Sequence, residues 1–500
     1  MSRLAAARTR TGAAARRVNY AGIARVVVAG AAACALVHVA GARPLSLDLV
    51  AVSGETEAPL VGSALATRVA QTCSGPELTG IPGVPDVRVA GSVTAGAGPQ
   101  DLLPAEPPAG GALVVRGGGT KLVDLDERPG TGTAALPPTG PVSLTGEGAF
   151  GPAVAGTQEW LTNRKDLRGL VSVPCGTAAS DLWLLGGGAG PGRQERLVLT
   201  NPGANPVTAD VTIHGDAGPL GDPKVQTVPP RGRVSLLLDA DAGAEKHPAV
   251  HVRADGGGLN ATLTDTWIDG STPLGADTTT PTAAPATVHV VPAAVFGPGS
   301  TTLRVAVPGD QGAVVKVTVL AQDGLVPLTG DSVLSVGAGS VAELPLKGVP
   351  AGTDAVVLRS DVPVVASVLS RVGDGKAAGD FVWSVAGTGV QRVGGVAFAD
   401  VRSVTRSLHL VSTGGNATAE VISVVKGTPR SQTVELKSER LATVALQGAT
   451  SVWVRVHPGS GELRGAVVSS WGAGPAQMLS SVPLLESAVT SSVSRAFPIP

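Results

Sequence analysis

A self-similarity with a period of about 105 residues constrains this chain more than any other feature, because a fixed period of that length means one supersecondary unit repeated. Leu197–Leu199 followed by Thr208–Ile213 recurs as Leu303–Val305 with Val314–Val319, and again as Leu408–Leu410 with Thr418–Ser423. Val234–Leu238, Val341–Leu346 and Leu441–Leu446 come next, followed by Val250–Arg253, Val356–Arg359 and Val452–Arg455. Each repeat ends on Leu259–Trp267, Val364–Val372 or Leu463–Trp471. Two weaker segments complete it, one at the start (Leu182–Leu185, Ala293–Phe296, Val396–Phe398) and one in the middle (Val225–Val228, Val333–Val336, Thr433–Leu436).

Alternation such as Val315-Lys316-Val317-Thr318-Val319 has the period of a strand with one face in a core. Seven short strands per roughly 100 residues is the pattern of an immunoglobulin- or fibronectin-like β-sandwich, although the Cys…Trp…Cys spacing of true immunoglobulin domains is missing. The expected fold is all-β: tandem immunoglobulin/fibronectin-like sandwich repeats after one N-terminal transmembrane or signal segment.

The repeats are expected at 177–275, 291–375 and 395–475. Two linkers separate them, a Thr/Pro/Ala segment at 276–290 and a second at 376–394, and a tail follows at 476–500. The Thr/Pro/Ala composition reads as an extended spacer, with O-glycosylation as the sharper alternative. Residues 43–176 carry strand-like pieces (Ala112–Arg116, Lys121–Asp124, Gly169–Val173) among Pro- and Gly-rich turns, and read as an irregular β-rich domain.

Six arginines and no acid precede Asp48 in the first 25 residues, and the apolar stretch Val26–Ala42 follows. That is the positive-inside arrangement. It predicts a cytoplasmic basic tail at 1–22 and a transmembrane signal anchor at 23–42, the bulk of the chain lying outside the cytoplasmic membrane. Ala40-Gly41-Ala42 also fits a cleavage site, so secretion after cleavage near Ala42 is the alternative. In an oxidising compartment Cys73 and Cys175 are expected to pair.

Thirty-eight basic against 39 acidic residues leave no field for a polyanion, so no nucleic-acid partner is expected. His247 and His251 enter a strand past Pro248, which is not a helical metal pair. The run Gly186–Gly192 lacks the Lys-Ser/Thr of a phosphate loop and reads as a flexible hairpin loop, and Asp239/Asp241 form too little of a calcium loop. No catalytic residue, metal site or cofactor is expected. Arg253, Arg359 and Arg455 coincide in register, as do Trp267 and Trp471, and these five form the candidate interaction face.

The N-terminal segment, T-C-S-G-P-E-L from Thr72, P-C-G from Pro174, D-L-W-L-L-G-G-G from Asp181 and R-L-V-L-T-N-P-G from Arg196 together resemble an uncharacterised family of actinobacterial membrane-anchored exported proteins. The resemblance covers most of the chain after Gln71. It implies an envelope location and brings no catalytic residues. The expected function is a non-enzymatic envelope scaffold or interaction protein whose partners are the cytoplasmic membrane and an envelope protein or polysaccharide. The alternative is an accessory glycan-binding subunit of an envelope polysaccharide enzyme.

Overall fold

Period-2 alternation does what its geometry requires: Val315, Val317 and Val319 are buried, while Lys316 between them stands in solvent. Burying each such side chain contributes roughly 1.5–3 kcal/mol. Repeated along the chain, the pattern builds a nearly all-β protein of eight main sheets, described by a computed structural model over residues 62–493 with the exception of 298. The basic tail, the segment 23–42, residues 43–61 and the end of the C-terminal tail lie outside the described residues, and the expectations of an anchor or a cleavage site lie there with them. Among the described residues no helix is long and apolar enough to cross a membrane.

The eight sheets form four modules, each of two sheets facing one another across its own apolar core. The strands of the first module are Arg68–Cys73, Gly91–Ala97, Leu113–Gly117, Thr120–Leu125, Gly130–Ala135, Val142–Glu147, Val154–Asn163 and Arg168–Pro174. Those of the second are Asp181–Leu185, Arg193–Thr200, Val207–Gly215, Lys224–Val228, Arg233–Leu237, Ala249–Asp255, Asn260–Asp269 and Thr272–Thr279. The third has Ala286–Phe296, Thr301–Ala306, Ala313–Ala321, Val333–Val336 and Val341–Pro345. Its sixth and seventh strands then run as one piece, Gly352–Val372, that crosses between sheets before Asp380–Val385. The fourth has Val393–Ala397, Val404–Thr413, Ala417–Val425, Thr428–Leu436, Arg440–Ala445, Ala449–Val456, Glu462–Trp471 and Met478–Pro483.

Numbered within a module, the sheet orders are 1-6-3-4 and 5-2-7-8 in all four, every pair antiparallel. This corrects the immunoglobulin-like expectation. In that fold the sixth and seventh strands share a sheet; here they lie in opposite ones. Periodicity predicts seven strands per repeat where each module has eight, and which strands pair is settled by long-range packing that periodicity does not encode.

Two further expectations change. Residues 43–176 do not end in an irregular domain, because from Arg68 onward they form a fourth copy of the same module. The segments read as linkers contain the eighth strands: Thr272–Thr279 runs into 276–290, Asp380–Val385 lies in 376–394, and Met478–Pro483 lies in the supposed tail. Thr278, Thr279, Thr280 and Thr282 are all buried, so the first half of the Thr/Pro/Ala stretch is not an exposed spacer, while Ala284, Pro285 and Thr287 are exposed.

These eighth strands explain why the chain from Ser63 to Val493 is one compact unit rather than a string of beads. Thr272–Thr279 touches Arg168–Pro174 and Asp380–Val385; Met478–Pro483 touches Asp380–Val385 and Arg168–Pro174. The four contacts close a cycle. Approach is close enough to require glycine: a Cβ on Gly169 would sit 2.4 Å from the Ala276 carbonyl oxygen, and one on Gly275 would sit 2.8 Å from the Phe381 nitrogen. The polar residues that disguised these strands bond to the neighbouring module. Asp277 accepts from the Trp383 N–H at 2.7 Å, Asp380 from the Leu479 N–H at 2.7 Å, and Ser480 Oγ from the Ser172 N–H at 2.9 Å.

Candidate functional site

Cys73 and Cys175 form a disulfide across the first module, buried in its core with their Cα atoms 4.4 Å apart. The five candidate face residues are not brought together. Arg359 of the third module pairs with Glu439 of the fourth, and Arg455 of the fourth pairs with Glu420 and donates to the Asp101 carbonyl of the first. Trp267 is held between the guanidinium groups of Arg193 and Arg371, 5.0 and 4.5 Å from its ring centroid, beside Phe381 and Trp383 of the third module. Arg253 is exposed on its strand opposite Asp181 and Asp210, and Trp471 is half-buried at a strand end. Three of the five, Arg359, Arg455 and Trp267, thus stand at module junctions, each with different partners.

The other sequence features are structural as well. The Gly186–Gly192 run is not a free hairpin loop, since Arg304 of the third module donates to the carbonyls of Gly186 and Gly187, both at 3.0 Å. Arg304 is itself almost fully buried, ion-paired to Glu343 at 2.8 Å and stacked over Trp383. His251 stacks on Trp183 with ring centroids 4.2 Å apart and reaches Asp181, while His247 faces Glu343. Asp239 accepts from the Glu195 N–H and Asp241 pairs with Lys224. Among the described residues no group of three or more His, Cys, Asp or Glu could hold a metal ion.

The distinctive site emerges from comparing junctions. The outward face of strands 1, 6 and 3 of one module meets the outward face of strands 2, 5 and 7 of the next. Between the second and third modules Trp183, Leu185 and Ala249 pack on Ala306, Val341 and Val365. Between the third and fourth, Val290, Leu320, Ala355 and Val357 pack on Val411 and Leu441. Between the fourth and first, Val393, Ile422, Val424 and Trp453 pack on Leu102, Ala153 and Ala155. Each of these three junctions has an apolar contact at its centre, and the third–fourth junction also keeps a smaller cavity of about 480 Å³ beside it, lined by Arg371, Thr405, Arg406 and Ser470.

The junction of the first module with the second is different. The same strands present Arg68, Ala70 and Thr72, Val114 and Arg116, Ser143 and Thr145 on one side, facing Asn201, Arg233 and Ser235 on the other, around an open cavity of about 1220 Å³. Polar side chains at packing positions leave the two sheets apart because closing them would desolvate groups with no partners. The cavity floor includes the turn after Cys73. Arg233 donates to the carbonyls of Ser74, Pro76 and Thr79 at 2.8, 2.9 and 3.2 Å, and Arg196 donates to Leu78 at 2.9 Å. Beneath them Glu77 is buried, bonded to Gln158 and to Trp160 Nε1; burial pushes its carboxyl up to about 7. Burial likewise lowers the Arg233 guanidinium from its ordinary value.

Four arginines line this cavity against two acids, Asp86 and Glu147. Arg68 lies 3.8 Å from Glu147, and Arg233 is committed to the turn. Arg116 and Arg231 are exposed, and their guanidinium groups have no hydrogen-bond or ion-pair partner among the described residues. Arg231 has a φ of 51° and its N–H is fixed at 3.0 Å to the Gly203 carbonyl, a left-handed conformation uncommon for a non-glycine residue and typical of places where the surroundings over-determine the backbone. Ser235 and Gln71 belong to the lining, but Ser235 Oγ and Gln71 Oε1 are buried behind its surface without a protein partner. Sequence reasoning missed all of these residues, because the only signal is that a position apolar in three repeats is polar in the fourth, and the fourth repeat itself went unrecognised.

Fold and site together define a class: a disulfide-bonded, multi-module all-β protein with one junction left open and polar. The chain belongs to DUF5719, a family of unknown function, whose sequence profile matches residues 127–447. That span takes in the P-C-G, D-L-W-L-L-G-G-G and R-L-V-L-T-N-P-G segments and leaves T-C-S-G-P-E-L outside. No curated protein matches the chain.

Proposed function

We propose that the chain is a non-enzymatic, extracytoplasmic interaction or scaffold protein of the cell envelope, held at the cytoplasmic membrane by residues 23–42 and presenting four sandwich modules as one rigid body. The buried Cys73–Cys175 bond carries this reading, because structural disulfides persist where the compartment is oxidising. The absence of chemistry is supported by the use of its ionisable groups. Arg406 with Glu159 joins the fourth module to the first, and the intramodule pairs Arg193–Asp265 and Arg304–Glu343 are packed against neighbouring-module groups, Asp265 accepting from Trp383 Nε1 and Arg304 donating to the Gly186 carbonyl. The accessory glycan-binding reading is favoured by a separate observation, the polar junction between the first two modules.

The test is thiol labelling of fractionated native cells with a maleimide polymer that shifts the chain on a gel. The expected result is a membrane-fraction protein in which Cys73 and Cys175 label only after denaturation and reduction. Labelling of both without reduction, in a soluble cytoplasmic fraction, would overturn the assignment.

A further inference from the structure

We propose that the open junction between the first and second modules is a binding groove for an anionic oligosaccharide, with Arg116 and Arg231 as its anion-recognising residues. The inference rests on the extracytoplasmic reading only in that such glycans must be within reach.

Three other junctions show what these strands do when they join modules: they pack apolar side chains against one another, and the cavity at the third–fourth junction, about 480 Å³, lies beside such a contact. The first junction keeps the same strands and replaces that contact with threonine, serine, asparagine and arginine around a cavity of about 1220 Å³. The volume is above the roughly 300–1,000 Å³ of small-molecule pockets and suits several linked units rather than one.

The lining selects the chemistry. Its apolar members are small or are prolines, including Ala70, Ala112, Val114, Pro141, Pro202 and Pro229, so it offers no pocket for a bulky apolar anchor of a peptide and no surface for a lipid chain. It contains no aromatic ring, so a neutral sugar has nothing to stack on. What it offers is hydrogen bonding and positive charge. Arg116 stands on a strand of the first module and Arg231 on a turn of the second, so their two unpaired guanidinium groups come from opposite walls. Guanidinium recognises carboxylate and phosphate alike through paired N–H donors. Thr139, Ser143 and Thr145 add polar side chains to a wall suited to a ligand dense in hydroxyls. A turn held by Arg233 and Arg196 and anchored one residue after Cys73 fixes the floor, so the groove exists before the ligand arrives.

The test is calorimetric titration of the full chain in detergent solution with four probes of equal length: hexagalacturonate, a hexasaccharide joined through phosphodiesters, maltohexaose and hexaglutamate. The expected result is that at least one of the two anionic polyols binds, and which one does identifies the anion as carboxylate or phosphate. Maltohexaose and hexaglutamate should bind at least tenfold more weakly. Arg116→Ala/Arg231→Ala should weaken the anionic polyol at least tenfold and flatten its salt dependence, while Arg253→Ala, an exposed arginine outside the groove, should leave it unchanged. Failure of both anionic polyols to bind, equal binding of hexaglutamate, or a double variant that binds as the native chain does would each overturn the proposal. None of these outcomes bears on the thiol-labelling result, so the two readings fail separately.

Discussion

The carboxylate of Asp277 accepts a 2.7 Å hydrogen bond from the backbone N–H of Trp383, 106 residues further along, and so ties the eighth strand of the second module to that of the third. Burial is complete and pushes the Asp277 carboxyl up to about 8, and Asp380, one link on in the same cycle, is raised as well. A carboxyl whose folded pKa exceeds its unfolded value contributes stability that is complete below pH 4 and is lost progressively as pH rises toward 8. The thermal midpoint is therefore expected to fall between pH 5 and pH 8. Asp277→Asn, which keeps an acceptor oxygen without the charge, should reduce that slope in calorimetry, whereas Asp277→Ala should cost about 1–3 kcal/mol at pH 5 by orphaning the Trp383 N–H.

Removing the disulfide should cost more. Cys73 and Cys175 are 102 residues apart, and closing a loop of that size restricts the unfolded chain by about 4–5 kcal/mol in the chain-entropy model. Cys73→Ser/Cys175→Ser is expected to shift the denaturant midpoint accordingly, measured against the oxidised parent. An unchanged midpoint would show that the first module does not unfold within the observed transition.

Arg304 is buried with Glu343 and with carbonyls of two segments of the second module. Arg304→Ala should destabilise by about 3–5 kcal/mol, because it strands Glu343 and frees several buried carbonyls at once. Glu343→Gln, which keeps an acceptor beside the guanidinium, should cost distinctly less. Equal losses in urea unfolding would place the effect in the ion pair alone.

Limited proteolysis offers a direct contrast between a string of modules and a closed set. A flexible spacer would be cut near Thr280, giving fragments of about one module each. The stretch holding the buried Thr278, Thr279, Thr280 and Thr282 should instead resist thermolysin while the chain is folded, and those four hydroxyls should be unmodified in fragment mass spectra, since folded-state glycosylation needs an exposed hydroxyl.

Alternating valines made the strands of the last three modules legible, and the repeat made their order legible. What could not be read was anything decided by a partner outside the segment. Asp380-Phe381-Val382-Trp383 is a fully buried strand, yet the Gly- and Asp-rich residues before it look like a spacer, because the neighbour that satisfies Asp380 is the Leu479 N–H of another module. The first module escaped notice for a related reason: Gly91–Ala97 and Gly130–Ala135 pair through small residues, where Gly96 and Gly132 leave no apolar alternation to detect. The groove was doubly hidden, since Arg116 and Arg231 acquire meaning only when two modules face each other.

A closed cycle of eighth strands also fixes how many modules the protein can have. In an open solenoid each repeat meets only its neighbours, so one can be gained or lost at the price of moving an end. Here Met478–Pro483 of the last module contacts Arg168–Pro174 of the first. Deleting any module would leave two strands facing partners at the wrong angle, and inserting a fifth would break a contact that already closes. In this chain the ring of contacts leaves no open end of the eighth strands at which a further copy could stack in the same way.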